Sequence, residues 1–143
     1  MRATEFQELC KRTWDADAGI EVAALGLVGE CGEVCELAQT ADCLAAVGDV
    51  LFYFAMCCNL LGYSMSDFEG MIGERANTEY AFAMLRNAAD VCEVVKKIYA
   101  HGKPQQEYDH RLKDRLDMVY ACLDTALWVH GHALEDSMRH NVE

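Results

Sequence analysis

Apolar positions recur at three- and four-residue intervals along nearly the whole chain, which predicts amphipathic helices rather than strands. Phe6, Leu9, Cys10, Thr13 and Trp14 share one side of a first helix, opened by Thr4 and Gln7 as a capping box and running to about Trp14. A second helix is expected from after Asp15 or Asp17 to about Gln39, with Ile20, Ala24, Leu27, Val28, Cys31, Val34, Cys35 and Ala38 on its buried stripe. From Leu44 to Leu61 the chain is apolar over most of a helical circumference, as the central helix of a bundle must be. Asp42 serves as its cap and Gly62 as its stop. Ser66 with Glu69 forms a second capping-box pattern. It starts a helix that continues, with a break near Asn77 and Thr78, into the stretch Tyr80 to Ala100. His101, Gly102, Lys103 and Pro104 make the clearest loop, and a last long helix is expected from about Gln105 to His130.

The fold class that follows is all-α: a single domain over residues 1–143, with no separate linker. Proline occurs once, at Pro104, and Ala, Leu, Glu, Cys and Met are abundant, which favours long helices. Two stretches also parallel each other. Gly62 to Asp67 resembles Gly131 to Asp136, and Glu30-Cys-Gly-Glu33-Val34 resembles Asp90-Val-Cys-Glu93-Val94. We read two pseudo-symmetric helical repeats, about 1–78 and 79–143, that bury faces against each other.

Charge and cysteine content narrow the function. A formal net charge of −12 disfavours nucleic acid as a partner, since an acidic surface repels the phosphate backbone. The longest apolar run, Val47 to Leu61, is shorter than the roughly 20 residues a bilayer requires, so no membrane span is expected. The first residues lack the basic start and apolar block of a secretory signal, and the expected location is the cytoplasm. The eight cysteines contain no Cys-x-x-Cys pair and fall mostly on apolar stripes, where they read as small buried hydrophobes. Trp14, Tyr53, Phe54 and Trp128 read as core. The histidines form no Glu-x-x-His pair of the diiron-bundle kind, and His130 and His132 mark a helix end.

Carboxylates carry the candidate chemistry. Glu30 and Glu33 stand at i and i+3 on one helix face, flanked by Gly29 and Gly32. Glycines inside a helix are unfavourable by about 1 kcal/mol each relative to alanine, so this pair points to a crowded groove. Asp49 lies inside an apolar helix, where an ionised side chain requires a partner or a metal. In an antiparallel hairpin it comes opposite Glu30 and Glu33, giving three hard oxygen donors suited to Mg²⁺ or Mn²⁺.

These residues carry a family resemblance. Leu25-Gly-Leu-Val-Gly-Glu-Cys-Gly-Glu-Val-Cys-Glu36 followed by Val47-Gly-Asp-Val-Leu-Phe-Tyr53 resembles the two helix signatures of the MazG-type nucleoside triphosphate pyrophosphohydrolases. The resemblance implies that Glu30, Glu33 and Asp49 are ligands of Mg²⁺, with Mn²⁺ as a substitute. It also implies that a water near Glu33, the catalytic candidate, attacks a nucleoside triphosphate to leave a nucleoside monophosphate and pyrophosphate. A homodimer is expected. The family's second-motif glutamate falls on Ala46 in this chain, which keeps open a catalytically silent helical bundle that binds a nucleotide or a partner protein. In the second repeat Asp90, Glu93, Asp114 and Asp117 are the corresponding acids and a possible second metal set. Lys96 and Lys97, one turn beyond Glu93, are candidate phosphate contacts.

Overall fold

The computed structural model describes residues 1–37, 43–71 and 79–143. Among them are six α-helices and no strand: α1 (Ala3–Cys10), α2 (Ile20–Leu37), α3 (Cys43–Leu61), α4 (Tyr80–Tyr99), α5 (Asp109–Trp128) and α6 (Leu134–Val142). The chain is an all-α helical bundle. The long helices form a ring in which α3 packs on α2, α2 on α4, α4 on α5, and α5 back on α3, while α1 and α6 cover the outer side of α3. Sulfur contacts fix α2 and α4 as antiparallel: Cys35 Sγ donates to the Ala81 carbonyl at 3.3 Å and Cys92 Sγ to the Ala24 carbonyl at 3.2 Å.

The apolar character of α3 follows from its position, since four helices pack around it and Val47, Val50, Leu51, Phe54 and Cys58 are wholly buried. Counted from Cys43, this helix is 19 residues long with a mean hydropathy of 1.8, which is long and apolar enough to cross a bilayer by length and composition only, as a mostly buried core helix also is. Phe54 anchors the centre, edge-on to Phe68 at 5.4 Å and tilted on Tyr120 at 5.3 Å. Trp14 and Tyr53 are half-buried in a three-ring cluster with Phe52. Trp128, expected in the core, is instead 57% exposed at the end of α5.

The helix ends differ from the sequence reading in specific ways. Helix α1 begins at Ala3 with no side-chain cap, and its final turn tightens into a 3-10 turn over Lys11–Thr13. The Thr4–Gln7 capping box is absent because Gln7 is buried and used elsewhere. Its amide donates to Asn59 Oδ1 and the Tyr63 carbonyl, and its oxygen accepts from the Met65 N–H. Ser66 lies in a 3-10 stretch, Met65–Met71, and the continuation expected beyond it toward Tyr80 falls on 72–78, outside the described residues. Another 3-10 turn, Gln105–Tyr108, precedes α5, which therefore starts four residues later than expected. Asp42 and the break near Asn77 and Thr78 lie outside the described residues. Helix α6 was not foreseen.

Gly62 and Gly131, which the sequence pairs, both adopt the left-handed conformation at helix ends, with φ of 83° and 79°. Each is followed by the same six-to-one closure, Tyr63 N–H to the Cys58 carbonyl and His132 N–H to the Leu127 carbonyl. Among the described residues no disulfide joins the cysteines. Burial pushes the Cys10 thiol up to about 12 and the Cys122 thiol to about 11, as for thiols that act as packing groups.

Candidate functional site

Glu30, Glu33 and Asp49 meet along the antiparallel contact of α2 with α3. Glu30 is half-buried, and its Oε2 is sealed from solvent with no hydrogen-bond partner. Its carboxyl is raised above the ordinary value first by burial, then by the charges of Asp49 and Glu33. Asp49 is also raised, by burial and then by Glu33, with His140 acting in the opposite sense. Asp49 and Glu33 thus disfavour ionisation of Glu30, and Glu33 that of Asp49, the condition that a bound cation relieves. Asp49 is not sealed in the apolar interior as its sequence context implies. It projects from the exposed side of α3, while Val47, Val50 and Leu51 face the core.

Beside these acids lies a groove of about 490 Å³ lined by Glu33, Leu37, Leu44, Ala45, Ala46, Asp49 and His140. Ala46, at the position of the missing acid, is part of its wall. The donors are all carboxylate oxygens, which suits Mg²⁺ or Mn²⁺. As the side chains stand, however, no three His, Cys, Asp or Glu residues among those described converge closely enough to hold an ion in common. Charge and donor type fit such an ion; spacing requires the carboxylates to draw closer.

The wall opposite α2 comes from α6, and sequence reasoning missed it. Gly48 makes the close approach possible: a Cβ there would lie 3.0 Å from the Ser137 carbonyl oxygen and 3.3 Å from Asn141 Cβ. Ser137 Oγ donates to the Leu44 carbonyl at 2.8 Å, and Leu134 and Met138 are buried against the bundle. So held, α6 directs Asn141 Nδ2 to Asp49 Oδ1 at 3.4 Å and sets His140 in the groove. A glycine in the middle of an apolar helix was the available signal. The two glycines the sequence singles out behave otherwise, since beside both Gly29 and Gly32 a Cβ would meet open space. The crowded position is Gly26, packed on the Tyr53 ring.

The second set of acids is not brought together. Asp90 accepts from Arg111 at 2.6 and 2.9 Å and from Arg115 at 2.8 Å, pinning α4 to α5. Arg111 is the largest cause of an Asp90 carboxyl lowered to about 2, with Arg115 adding to it. Glu93 pairs with Lys96 at 2.9 Å and Asp114 with Arg115 at 3.4 Å. Asp117 Oδ1 is buried without a partner, and its carboxyl is raised by burial and then by Asp114 and Asp67. Neither Lys96 nor Lys97 lines the Glu33–Asp49 groove. Lys96 instead borders an apolar groove with Leu25, Val95 and Tyr99.

Asp90→Asn should accordingly lower stability by about 1–2 kcal/mol at neutral pH, a figure discounted because both arginines are partly open to water. A lowered carboxyl contributes stability above its ordinary value of 3.8 and loses it as pH falls through about 2. The gap between wild type and variant in urea unfolding should therefore close on acidification. A gap independent of pH would mean that the ion pair is not its source.

Compared with known protein families, with curated proteins and with solved structures, the chain matches none.

Proposed function

We propose that the groove between α2, α3 and α6 is the active site of a MazG-like, Mg²⁺-dependent nucleoside triphosphate pyrophosphohydrolase, which converts a nucleoside triphosphate and water to a nucleoside monophosphate and pyrophosphate. The observation that carries this reading is the meeting of Glu30, Glu33 and Asp49 beside an open groove, with Glu30 and Asp49 both held above their ordinary values. Those three would hold the divalent ion. When bound, such an ion supplies charge against the triphosphate and acidifies a water. Glu33, which lines the groove, is the candidate acceptor of the proton lost from the attacking water. Besides Asp49 and His140, the other lining residues Leu37, Leu44, Ala45 and Ala46 are apolar and add no charge against the phosphates. The pairing of α2 with α3 and of α4 with α5, and the matched closures at Gly62 and Gly131, are what support reading the halves as repeats of one unit.

A second reading has its own observation. Ala46 stands where the family carries an acid, and among the described residues no three His, Cys, Asp or Glu side chains converge to hold an ion. A silent bundle that binds a nucleotide or a partner protein accounts for both. The deciding experiment is pyrophosphate release from a panel of canonical nucleoside and deoxynucleoside triphosphates with Mg²⁺ or Mn²⁺. Release with any of them supports the enzyme and identifies its base preference. A folded protein that releases none supports the silent bundle.

A further inference from the structure

We propose that His140 is a polyphosphate-binding residue of this groove, its imidazole donating a hydrogen bond to a non-bridging phosphate oxygen of the bound substrate. The inference rests on the reading of the groove as a nucleoside triphosphate site, and it names a contact which that reading lacks. A triphosphate entering this groove meets Glu33 and Asp49, on a chain of net charge −12. Anion binding in such a setting needs a donor aimed at the phosphate as well as a cation. Of the described lining residues, the others being Glu33, Leu37, Leu44, Ala45, Ala46 and Asp49, His140 alone has a side-chain N–H.

Its placement is built rather than a consequence of lying near the end of the chain. Gly48 lets α6 approach α3, the Ser137 hydroxyl bonds the Leu44 carbonyl, and Met138 is buried. The neighbouring positions on α6 are otherwise committed: Arg139 pairs with Glu135, and Asn141 donates to Asp49. That leaves the imidazole as the group α6 presents to the groove. Ala46 completes the argument. A longer acid at that position would place a further negative charge on the wall that His140 shares, whereas alanine leaves that wall neutral.

The test separates metal from phosphate. Mn²⁺ binding is measured alone by electron paramagnetic resonance, and binding of a nucleoside 5′-[α,β-imido]triphosphate at saturating Mn²⁺ by calorimetry, for wild type, His140→Ala and His140→Gln. Because His140 is exposed, both variants should melt with the wild type. The expected result is Mn²⁺ affinity in His140→Ala equal to or tighter than wild type, together with imidotriphosphate affinity weakened about tenfold or more. Glutamine, which retains an N–H donor, should recover most of the loss. If wild type and His140→Ala bind the imidotriphosphate equally, the proposal is overturned while the enzyme reading stands. Equal loss of Mn²⁺ and imidotriphosphate would overturn it too, since His140 would then act through Asp49 alone. A wild-type protein that binds neither probe removes the enzyme reading, and this proposal with it.

Discussion

Glu33→Gln should abolish pyrophosphate release and, in the same protein, raise the melting temperature. The two effects share a cause. Glu33 is the charge that both Glu30 and Asp49 feel, so its carboxylate raises the cost of ionising its neighbours in the folded state. Neutralising it at constant shape relieves that repulsion by a modest amount, roughly 2–4 °C in melting temperature, because the groove is open to solvent. Under the proposed assignment of Glu33 as ligand and proton acceptor, its loss should lower turnover by about 100-fold or more. The pH dependence has a definite sign. Carboxyls raised above their ordinary values of 4.5 for Glu30 and 3.8 for Asp49 leave the folded state unpenalised at lower pH and destabilise it increasingly as pH rises through and above those values. Wild type should therefore lose stability across that window more than Glu33→Gln does, and added Mg²⁺ should restore it in wild type alone. Differential scanning calorimetry over pH, with and without Mg²⁺, reads all three. A variant less stable than wild type at neutral pH would show that Glu33 has a structural partner rather than a repulsive neighbour.

What the sequence revealed of this site was what helical spacing alone determines. Glu30 and Glu33 share a face because they are one turn apart, and Asp49 meets them because an antiparallel hairpin runs α3 back along α2. The bundle itself was legible in the same way, since three- and four-residue spacing marks the outer helices and α3 is apolar over most of its circumference, as a central helix must be. Tertiary competition for polar groups was not legible. Gln7 has the spacing of a capping residue, yet its amide is worth more bridging Asn59, Tyr63 and Met65 in the interior. Nor does spacing distinguish a carboxylate facing a groove from one facing an arginine, which is how Asp90 came to stand as a counterpart of Glu30. Helix α6 escaped notice because its apolar stripe is only Leu134, Met138 and Val142, set among Glu135, Asp136, Arg139 and His140. It is held by a buried serine and by the absence of a side chain at Gly48, and neither feature has a hydrophobic signature.

The glycines give the sharpest consequence, because three of them on one helix make opposite demands. Gly26 faces the Tyr53 ring so closely that an added Cβ would stand 2.3 Å from two of its carbons, whereas Gly29 and Gly32 have nothing within 4 Å. By helix propensity alone, alanine should stabilise α2 by up to about 1 kcal/mol at each position. At Gly26 that gain is outweighed, since the ring cannot yield without disturbing its contacts with Trp14 at 6.2 Å and Phe52 at 5.3 Å. Overpacking of this kind costs about 1–3 kcal/mol. Gly26→Ala should thus lower the melting temperature while Gly29→Ala and Gly32→Ala hold or raise it. The effect reaches the site, because Gly26 lies one turn before Glu30 on α2 and Tyr53 one turn after Asp49 on α3. Forcing the helices apart there moves Asp49 away from Glu30 and Glu33, and among the described residues no three such acids converge on one ion as the side chains stand. Mn²⁺ affinity should therefore fall in Gly26→Ala along with stability. A Tyr53→Ala background, which removes the obstructing ring, should reverse the sign of the Gly26→Ala effect on stability, leaving only the propensity gain. If Gly26→Ala remains destabilising after the ring is gone, the close approach to Tyr53 is not what positions α2 against α3.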